Sequence, residues 1–209
     1  MFLLLCLPQY LYATKLVHLD LRGTKSDRSF YEALHAQYWE TRGRYVSFFS
    51  CKTLRRIHFV QFEVYRNDLA DIIKINDIPP PEKHQDYHYT PMPAKRVPPV
   101  GENIMMHWYE NPSHADDDTP SLNKMPKKLR DRLAIKSHQD TEIGWGIYFV
   151  EGSSWLCLFC SGLVGLLLGG LFGALWAHFK DDVQGGFAVA AFVLMAFSFI
   201  IGILQALLG

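Results

Sequence analysis

The sequence predicts a small α+β domain followed by an α-helical transmembrane hairpin of two spans. The first observation is the distribution of charge: the 209 residues include 21 basic and 21 acidic side chains, but only four of these lie beyond residue 150. The second is a pair of long uncharged runs in the C-terminal part. The third is a set of short alternating and helical patterns in the N-terminal part, where about 150 residues can bury an adequate core.

Residues 1–11 include the apolar run FLLLCL, from Phe2 to Leu7. The run is similar to the core of a signal peptide, but no basic residues precede it, Pro8 interrupts it and no convincing small-residue cleavage site follows. It is equally compatible with a first strand or with a wrongly assigned gene start. These three interpretations stay open for this segment.

Residues 12–78 carry the patterns of the α+β domain. Alternation over 16–22 predicts a half-buried strand whose apolar face is Val17, Leu19 and Leu21. A helix is expected from Ser26 or Asp27 to about Gly43, with a buried stripe of Phe30, Leu34 and Tyr38 and with Asp27, Glu32 and Glu40 exposed. A second strand is expected over 56–65 because of Val60, Phe62 and Val64. Residues 69–75 are either a third strand or a short helix.

Residues 79–120 are expected to form a proline-rich strap followed by an acidic loop. Seven of the eleven prolines lie between Pro79 and Pro99, which disfavours a helix or a central strand. The interleaved Tyr87, His88 and Tyr89 favour a strap that lies on the domain over a free linker.

Residues 121–154 are expected to form a basic juxtamembrane and interfacial segment. The stretch MPKKLRDRLAIKS predicts an amphipathic helix whose basic side chains either face anionic lipid or are solvated and only set the topology. These side chains are Lys127, Lys128, Arg130, Arg132 and Lys136. In the following GWGIYFVEGSSW, glycines discourage a continuous helix, and the aromatic residues predict that Trp145 and Tyr148 lie at the membrane interface.

The two predicted spans cover residues 155–177 and 187–208. Each run is long enough to cross about 30 Å of hydrocarbon at about 1.5 Å per residue. Trp155 and Trp176 bracket the first span and are expected at the two interfaces. The alternative is a buried helix pair in a soluble core, but two consecutive runs with so little polarity favour the membrane.

Small residues recur every four positions in both spans. Gly165, Gly169 and Gly173 predict a groove on the first helix, and the matching ridge on the second helix is Ser198, Gly202 and Ala206. Small residues at this spacing let two backbones approach closely in lipid. Packing within one chain is expected, with a homodimer through the glycine face as the alternative. The lack of a polar stripe disfavours a pore.

The orientation follows from the basic residues. Those before the first span outnumber Lys180 in the inter-helix loop, which predicts that the N-terminal domain and the C-terminus are cytosolic. Cys6 and Cys51 show no disulfide spacing, so a reduced domain is expected. Cys157 and Cys160 form a C-x-x-C that is better interpreted as two small lipid-tolerant residues than as a metal site, with S-palmitoylation as a minor alternative.

Motifs for chemistry are absent from the sequence. It contains no phosphate-binding glycine loop, no H-E-x-x-H and no G-x-S-x-G, so no catalytic, cofactor-binding or metal-ligating residue is assigned and no cofactor is expected. His107 and His114 flank the acidic loop without a ligand spacing. The balanced charge gives no electrostatic reason to expect nucleic acid as a partner.

Several stretches carry a resemblance to a known group. They are VHLDLRGTKSDRSFYEALHAQYWETRG, IHFVQFEVY with IPPPE, GWGIYFVEGSSW, and W-x-x-x-K-D-D-V-Q-G-G-F between the two spans. From about Val17 onward the chain resembles a family of filamentous-fungal membrane proteins. The resemblance implies two membrane spans and a cytosolic-type domain, and it implies no activity and no catalytic residues.

Three functions from different classes are compatible with this organisation. The favoured one is a membrane-anchored interaction or regulatory protein whose cytosolic domain binds a protein partner beside the lipid bilayer. A membrane enzyme or enzyme subunit is the second, and it would require polar groups that converge in a pocket of the domain. A membrane-perturbing helical hairpin is the third.

Overall fold

The computed structural model describes residues 1–9, 13–43, 52–134, 141–180 and 182–208, with the backbone alone for 204–208. The chain divides into two compact units. The first comprises Met1–Val46 and Leu54–Glu151, and the second comprises Ser47–Thr53 and Gly152–Gly209. The strap, the acidic segment and most of the expected juxtamembrane segment therefore belong to the same unit as the strands.

Seven strands form the sheet of the first unit. They are β1 (Phe2–Pro8), β2 (Thr14–Asp20), β3 (Lys52–Tyr65), β4 (Leu69–Ile75), β5 (Tyr87–His88), β6 (Lys127–Lys128) and β7 (Glu142–Ser153). Their order is β2-β4-β3-β7-β1-β6-β5, and β2 also pairs with β1. Strands β1, β2, β4, β3 and β7 thus close into a ring, which removes free edges among them.

Strand β1 lies at the centre of this arrangement. It pairs antiparallel with β2 from Phe2↔Asp20 to Pro8↔Thr14, and parallel with β7 at Leu5↔Ile147 and Cys6↔Tyr148. Its residues from Leu3 to Leu7 are at most 1% exposed. Of the three interpretations of residues 1–11, the structure shows the strand.

In the described part of the first unit, three α-helices accompany the sheet: α1 (Asp27–Arg42), α2 (Glu102–Glu110) and α3 (Pro120–Lys124). Helix α1 begins with a capping box between Ser26 and Ser29 and ends at Gly43, whose φ of 76° suits glycine. Its buried stripe of Phe30, Leu34 and Tyr38 confirms the predicted spacing. Helix α2 lies in the acidic segment, where no helix was expected.

The sheet has a core on each side. Leu3, Leu5 and Leu7 of β1 pack with α1, α2 and the apolar face of β2 that was predicted at Val17, Leu19 and Leu21. Leu4 and Cys6 point the other way, toward the predicted face of β3 formed by Val60, Phe62 and Val64. Residues 69–75 form a strand, which decides between the two alternatives for that segment. The register of the paired strands therefore follows the alternation in the sequence.

Two expectations about polar segments are wrong. Asp27 is fully buried, and its carboxylate accepts the backbone N–H groups of Ser121 and Leu122 at 2.8 and 2.7 Å, which offsets the cost of its burial. Residues 125–134, the described part of the stretch expected to be a basic helix, contain no helix. Lys127 and Lys128 instead pair with β1 at Leu3 and Phe2.

The second unit contains α4 (Trp155–Lys180) and α5 (Val183–Leu208). The contacts run in opposite directions along the two helices, since Gly165 faces Phe197, Gly169 faces Leu194 and Gly173 faces Ala190. The pair is an antiparallel hairpin, and its geometry is compatible with two membrane spans.

Candidate functional site

Both helices of the second unit are long and apolar enough to cross a membrane. Only 22% of the most apolar stretch of α4 and 11% of that of α5 are buried. A helix of this composition in a soluble core would be mostly buried. The exposed side chains include Leu166, Leu167, Leu168, Leu171 and Phe172 on α4, and Phe187, Phe192, Met195, Phe199 and Ile200 on α5.

The glycine face of α4 is the surface that packs against α5. Gly165, Gly169 and Gly173 are the buried residues of α4. A Cβ atom at Gly165 would lie 2.7 Å from the Phe197 ring, and one at Gly186 would lie 2.7 Å from the Gly173 carbonyl oxygen. The backbones therefore come closest at Gly173 and Gly186, whereas the groove at Gly165 receives a large ring.

The expected ridge on α5 is not the surface that meets these glycines. Ser198 is exposed, and a Cβ atom at Gly202 would meet nothing within 4 Å. Ala206 lies among the residues whose side chains are not described. The residues of α5 that pack against the glycines are Gly186, Ala190, Leu194 and Phe197. Phe197 takes the place predicted for Ser198, and the two side chains point about 100° apart around the helix axis. Glycines on one helix can receive large side chains from the other, so close packing does not require small residues on both helices.

Trp145 and Tyr148 are not interfacial residues in this structure. Trp145 is 6% exposed in β7, its Nε1 donates to Asp77 Oδ2 at 2.9 Å, and its ring meets Tyr87 edge to face. Tyr148 packs against the apolar cluster that contains Trp145, Leu4 and Phe62. By contrast, Trp155 at the start of α4 is 69% exposed and Trp176 near its end is 37% exposed.

Three of the five basic residues that were expected to face lipid make contacts within the sheet domain instead. Lys127 is buried, and burial lowers its pKa. The Lys128 ammonium lies 5.2 Å from the centre of the Tyr87 ring, and the Arg132 guanidinium lies 5.7 Å from that of Phe2. Arg130 is exposed, and Lys136 lies outside the described residues.

A buried charge cluster joins the end of α1 to the end of β7. Arg42 Nη1 lies 2.8 Å from Glu151 Oε1, and the Tyr38 hydroxyl donates to the same carboxylate oxygen at 2.8 Å. Arg42 also donates to the Tyr38 hydroxyl. Burial, together with Glu151, raises the pKa of Tyr38, so the phenol remains a donor. No local pattern signals this cluster, because Glu151 lies 113 residues after Tyr38 in the sequence.

Tyr109 of α2 lies in the aromatic layer beside this cluster. Its ring meets those of Tyr38 and Phe149 edge to face, and Tyr38 stacks on Phe149. The Tyr109 hydroxyl is buried and has no hydrogen-bond partner among the described residues, and burial raises its pKa. The cluster therefore sits in a packed interior, which suits a structural connection better than a reacting site.

The other polar groups in the described part of the domain form small, separate groups. A cavity of about 730 Å³ beside α1 is lined by His35, Ala36, Trp39 and Glu40, and the Trp39 indole N–H donates to His35 Nε2 at 3.0 Å. His107 and His114 come together, with 3.2 Å between Nε2 and Nδ1, at the end of α2. Among the described residues, no group of three or more His, Cys, Asp or Glu side chains could hold a metal ion.

One of the four cysteines differs from the expectation. Cys157 is disulfide-bonded, which corrects its interpretation as a small lipid-tolerant thiol. Cys160 is a free, exposed thiol, and Cys6 is free and buried, which raises its pKa. Cys51 lies outside the described residues.

Comparisons with protein-family models, with curated proteins and with solved structures found no significant match for this chain. The resemblance to filamentous-fungal membrane proteins therefore stays a prediction.

Proposed function

We propose that this chain is an integral membrane protein in which the helical hairpin anchors an α+β interaction domain. The observation that carries the proposal is the exposure of the large apolar side chains on both α4 and α5, while the glycine face is covered within the hairpin. Lipid is the environment in which such a surface is stable, because hydrocarbon chains then cover the leucines and phenylalanines.

Extraction of membranes at alkaline pH tests the anchor. The expressed chain should stay with the lipid, whereas Leu167→Asp combined with Phe192→Asp should release it, since each carboxylate would have to enter hydrocarbon. The matched control places two aspartates on exposed apolar residues of the sheet domain, Val97→Asp with Ile104→Asp, and should stay with the membrane. Release of the unaltered chain would refute the anchor.

We further propose that the domain acts by binding a protein partner. The β3–β4 hairpin supports this role, because it leaves Tyr65, Leu69, Ile73 and Ile75 exposed at 42%, 39%, 52% and 53%. Clustered exposed apolar residues on a soluble domain commonly mark an interaction surface. A partner recovered by affinity capture with the unaltered chain should be lost with Ile73→Lys combined with Ile75→Lys. It should be retained with Val97→Lys combined with Ile104→Lys, and equal recovery would exclude this surface.

For the orientation, we propose that the domain and the C-terminus are cytosolic. Lys180 is the single Lys or Arg between the two apolar runs and is followed by Asp181 and Asp182, whereas six basic residues lie from Lys124 to Lys136. The reverse orientation is the second candidate, because Cys157 is disulfide-bonded and disulfides persist in oxidising compartments.

A further inference from the structure

The proline-rich strap forms a pocket with the end of α3. This strap pocket is a cavity of about 330 Å³, and its lining includes Tyr89, Thr90, Pro91, Lys95, Arg96 and Lys124. A volume of this size lies at the lower end of the range for small-molecule sites. None of these residues belongs to the membrane hairpin or to the buried charge cluster around Arg42 and Glu151.

The walls of the strap pocket are fixed by contacts outside it. The Tyr89 hydroxyl donates to the Pro79 carbonyl at 2.8 Å, and the backbone N–H of Thr90 donates to the Asn123 carbonyl at 2.8 Å. Tyr89 itself is 3% exposed. The strap is thus tied both to itself and to α3, which holds Lys124 opposite the residues of the strap.

The charged residues that line the strap pocket are all basic. Lys95, Arg96 and Lys124 line it, and no carboxylate is among its described lining residues. None of the three forms an ion pair with any residue in the part of the chain that the structure describes. A concave surface lined by like charges focuses the field and attracts a counter-ion.

The side chains around the strap pocket suit an oxyanion. Arg96 Nε donates to the Pro98 carbonyl at 3.3 Å, which leaves its two Nη groups for a further acceptor. A guanidinium with two ammonium groups matches a phosphate group, which carries more than one charge and several acceptor oxygens. Tyr89 and the prolines give the rest of the lining an apolar character that can contact the organic part of a ligand.

We propose that the strap pocket binds a phosphate-bearing ligand through Lys95, Arg96 and Lys124. The same chemistry is offered by a soluble phosphorylated metabolite and by a phosphorylated lipid headgroup. The inference is independent of the membrane anchor, because the residues of the pocket all lie in the first unit.

Calorimetric titration of the full chain in detergent with inorganic pyrophosphate tests the proposal. Binding should weaken by about tenfold or more in Lys95→Gln/Arg96→Gln/Lys124→Gln, because three charge-assisted contacts are lost. The control Arg66→Gln/Lys83→Gln/Arg130→Gln removes the same three charges elsewhere and should keep the affinity. Lys95→Glu alone alters one exposed side chain and gives the same readout should the triple variant fail to fold.

Nanodiscs distinguish the two sources of phosphate. If a lipid headgroup occupies the strap pocket, adding a minor fraction of phosphoinositide to phosphatidylcholine discs should weaken pyrophosphate binding by competition. If the ligand is soluble, the affinity should not change. Failure of pyrophosphate to bind, or equal loss in the two triple variants, would overturn the proposal.

Discussion

Arg42 Nη1 lies 2.8 Å from Glu151 Oε1, with only 7% and 9% of the two side chains exposed. The pair joins the last turn of α1 to β7. Glu151 lies four residues before Trp155, the first residue of α4. Removing the Glu151 charge takes an ion-pair partner from a buried guanidinium, and breaking a buried pair in this way costs far more than the pair contributes.

Glu151→Gln should therefore destabilise the sheet domain by about 3–5 kcal/mol, because the Arg42 charge stays buried. Urea denaturation of the full chain in mild detergent measures the change. Asp20→Asn is the control, since it breaks the exposed Arg22–Asp20 pair and should hardly move the midpoint. Equal effects of the two substitutions would show that the buried pair is unimportant.

The second prediction concerns the hairpin. Gly173→Val should weaken helix packing by about 1–3 kcal/mol, since a Cβ atom there would lie 3.2 Å from the Gly186 carbonyl oxygen and a branched side chain adds more volume. Gly170→Val is the matched control, because a Cβ atom at Gly170 meets nothing within 4 Å.

Cysteine crosslinking measures this packing. Gly169→Cys with Leu194→Cys should crosslink within one chain, and Gly173→Val should reduce the yield while Gly170→Val leaves it unchanged. Gly169→Cys with Gly202→Cys should give little product. Products between chains alone would instead assign the glycine face to a homodimer.

The third prediction is a pH dependence at His18. Burial, followed by the charge of Arg132, lowers its pKa, and neutral Nε2 accepts the N–H of Leu133 at 3.1 Å. Stability should therefore be complete above the unfolded-state pKa of about 6.5 and should fall as the pH drops from there to the lower folded-state pKa. His18→Gln removes this titration.

The measurement is the midpoint of unfolding at a pH above 6.5 and at a pH below the folded-state pKa of His18. The unaltered chain should lose more stability on acidification than His18→Gln, and the difference isolates His18 from the other eight histidines. Parallel curves for the two chains would show that His18 is not coupled to folding.

The fourth prediction separates Trp145 from Trp155. Lipids brominated near the headgroup should quench Trp155 in a single-tryptophan variant and should leave Trp145 unquenched, because Trp145 is packed in β7 against Tyr87 and Asp77. Strong quenching of Trp145 would restore the interfacial interpretation of this segment.

The parts of the fold with a clear local period were predictable. Strand β2, helix α1 and strand β3 each show their buried face in the spacing of apolar residues, and the structure buries those faces. The capping box at Ser26 likewise fixes the start of α1.

Strand β7 was not predictable from the sequence. Its glycines are needed because residues that are distant in sequence pack against them. A Cβ atom at Gly144 would lie 2.6 Å from Leu133 and 2.7 Å from Phe62, and one at Gly146 would overlap the Leu4 backbone. Glycine there makes room for β1 and β3, but in isolation it is typical of a chain break. The strand at Lys127 and Lys128 was not predictable either, since these residues pair with Leu3 and Phe2, which are far away in sequence.

Glycosylation mapping in microsomes tests the membrane hairpin most directly. One acceptor is placed in a lengthened loop at 181–182, and a second is created at Asn67 by Leu69→Thr, where both side chains are exposed. A hairpin with a cytosolic domain predicts that the loop acceptor alone is modified. Modification of Asn67 alone would reverse the orientation, and modification of both acceptors would contradict the two membrane spans.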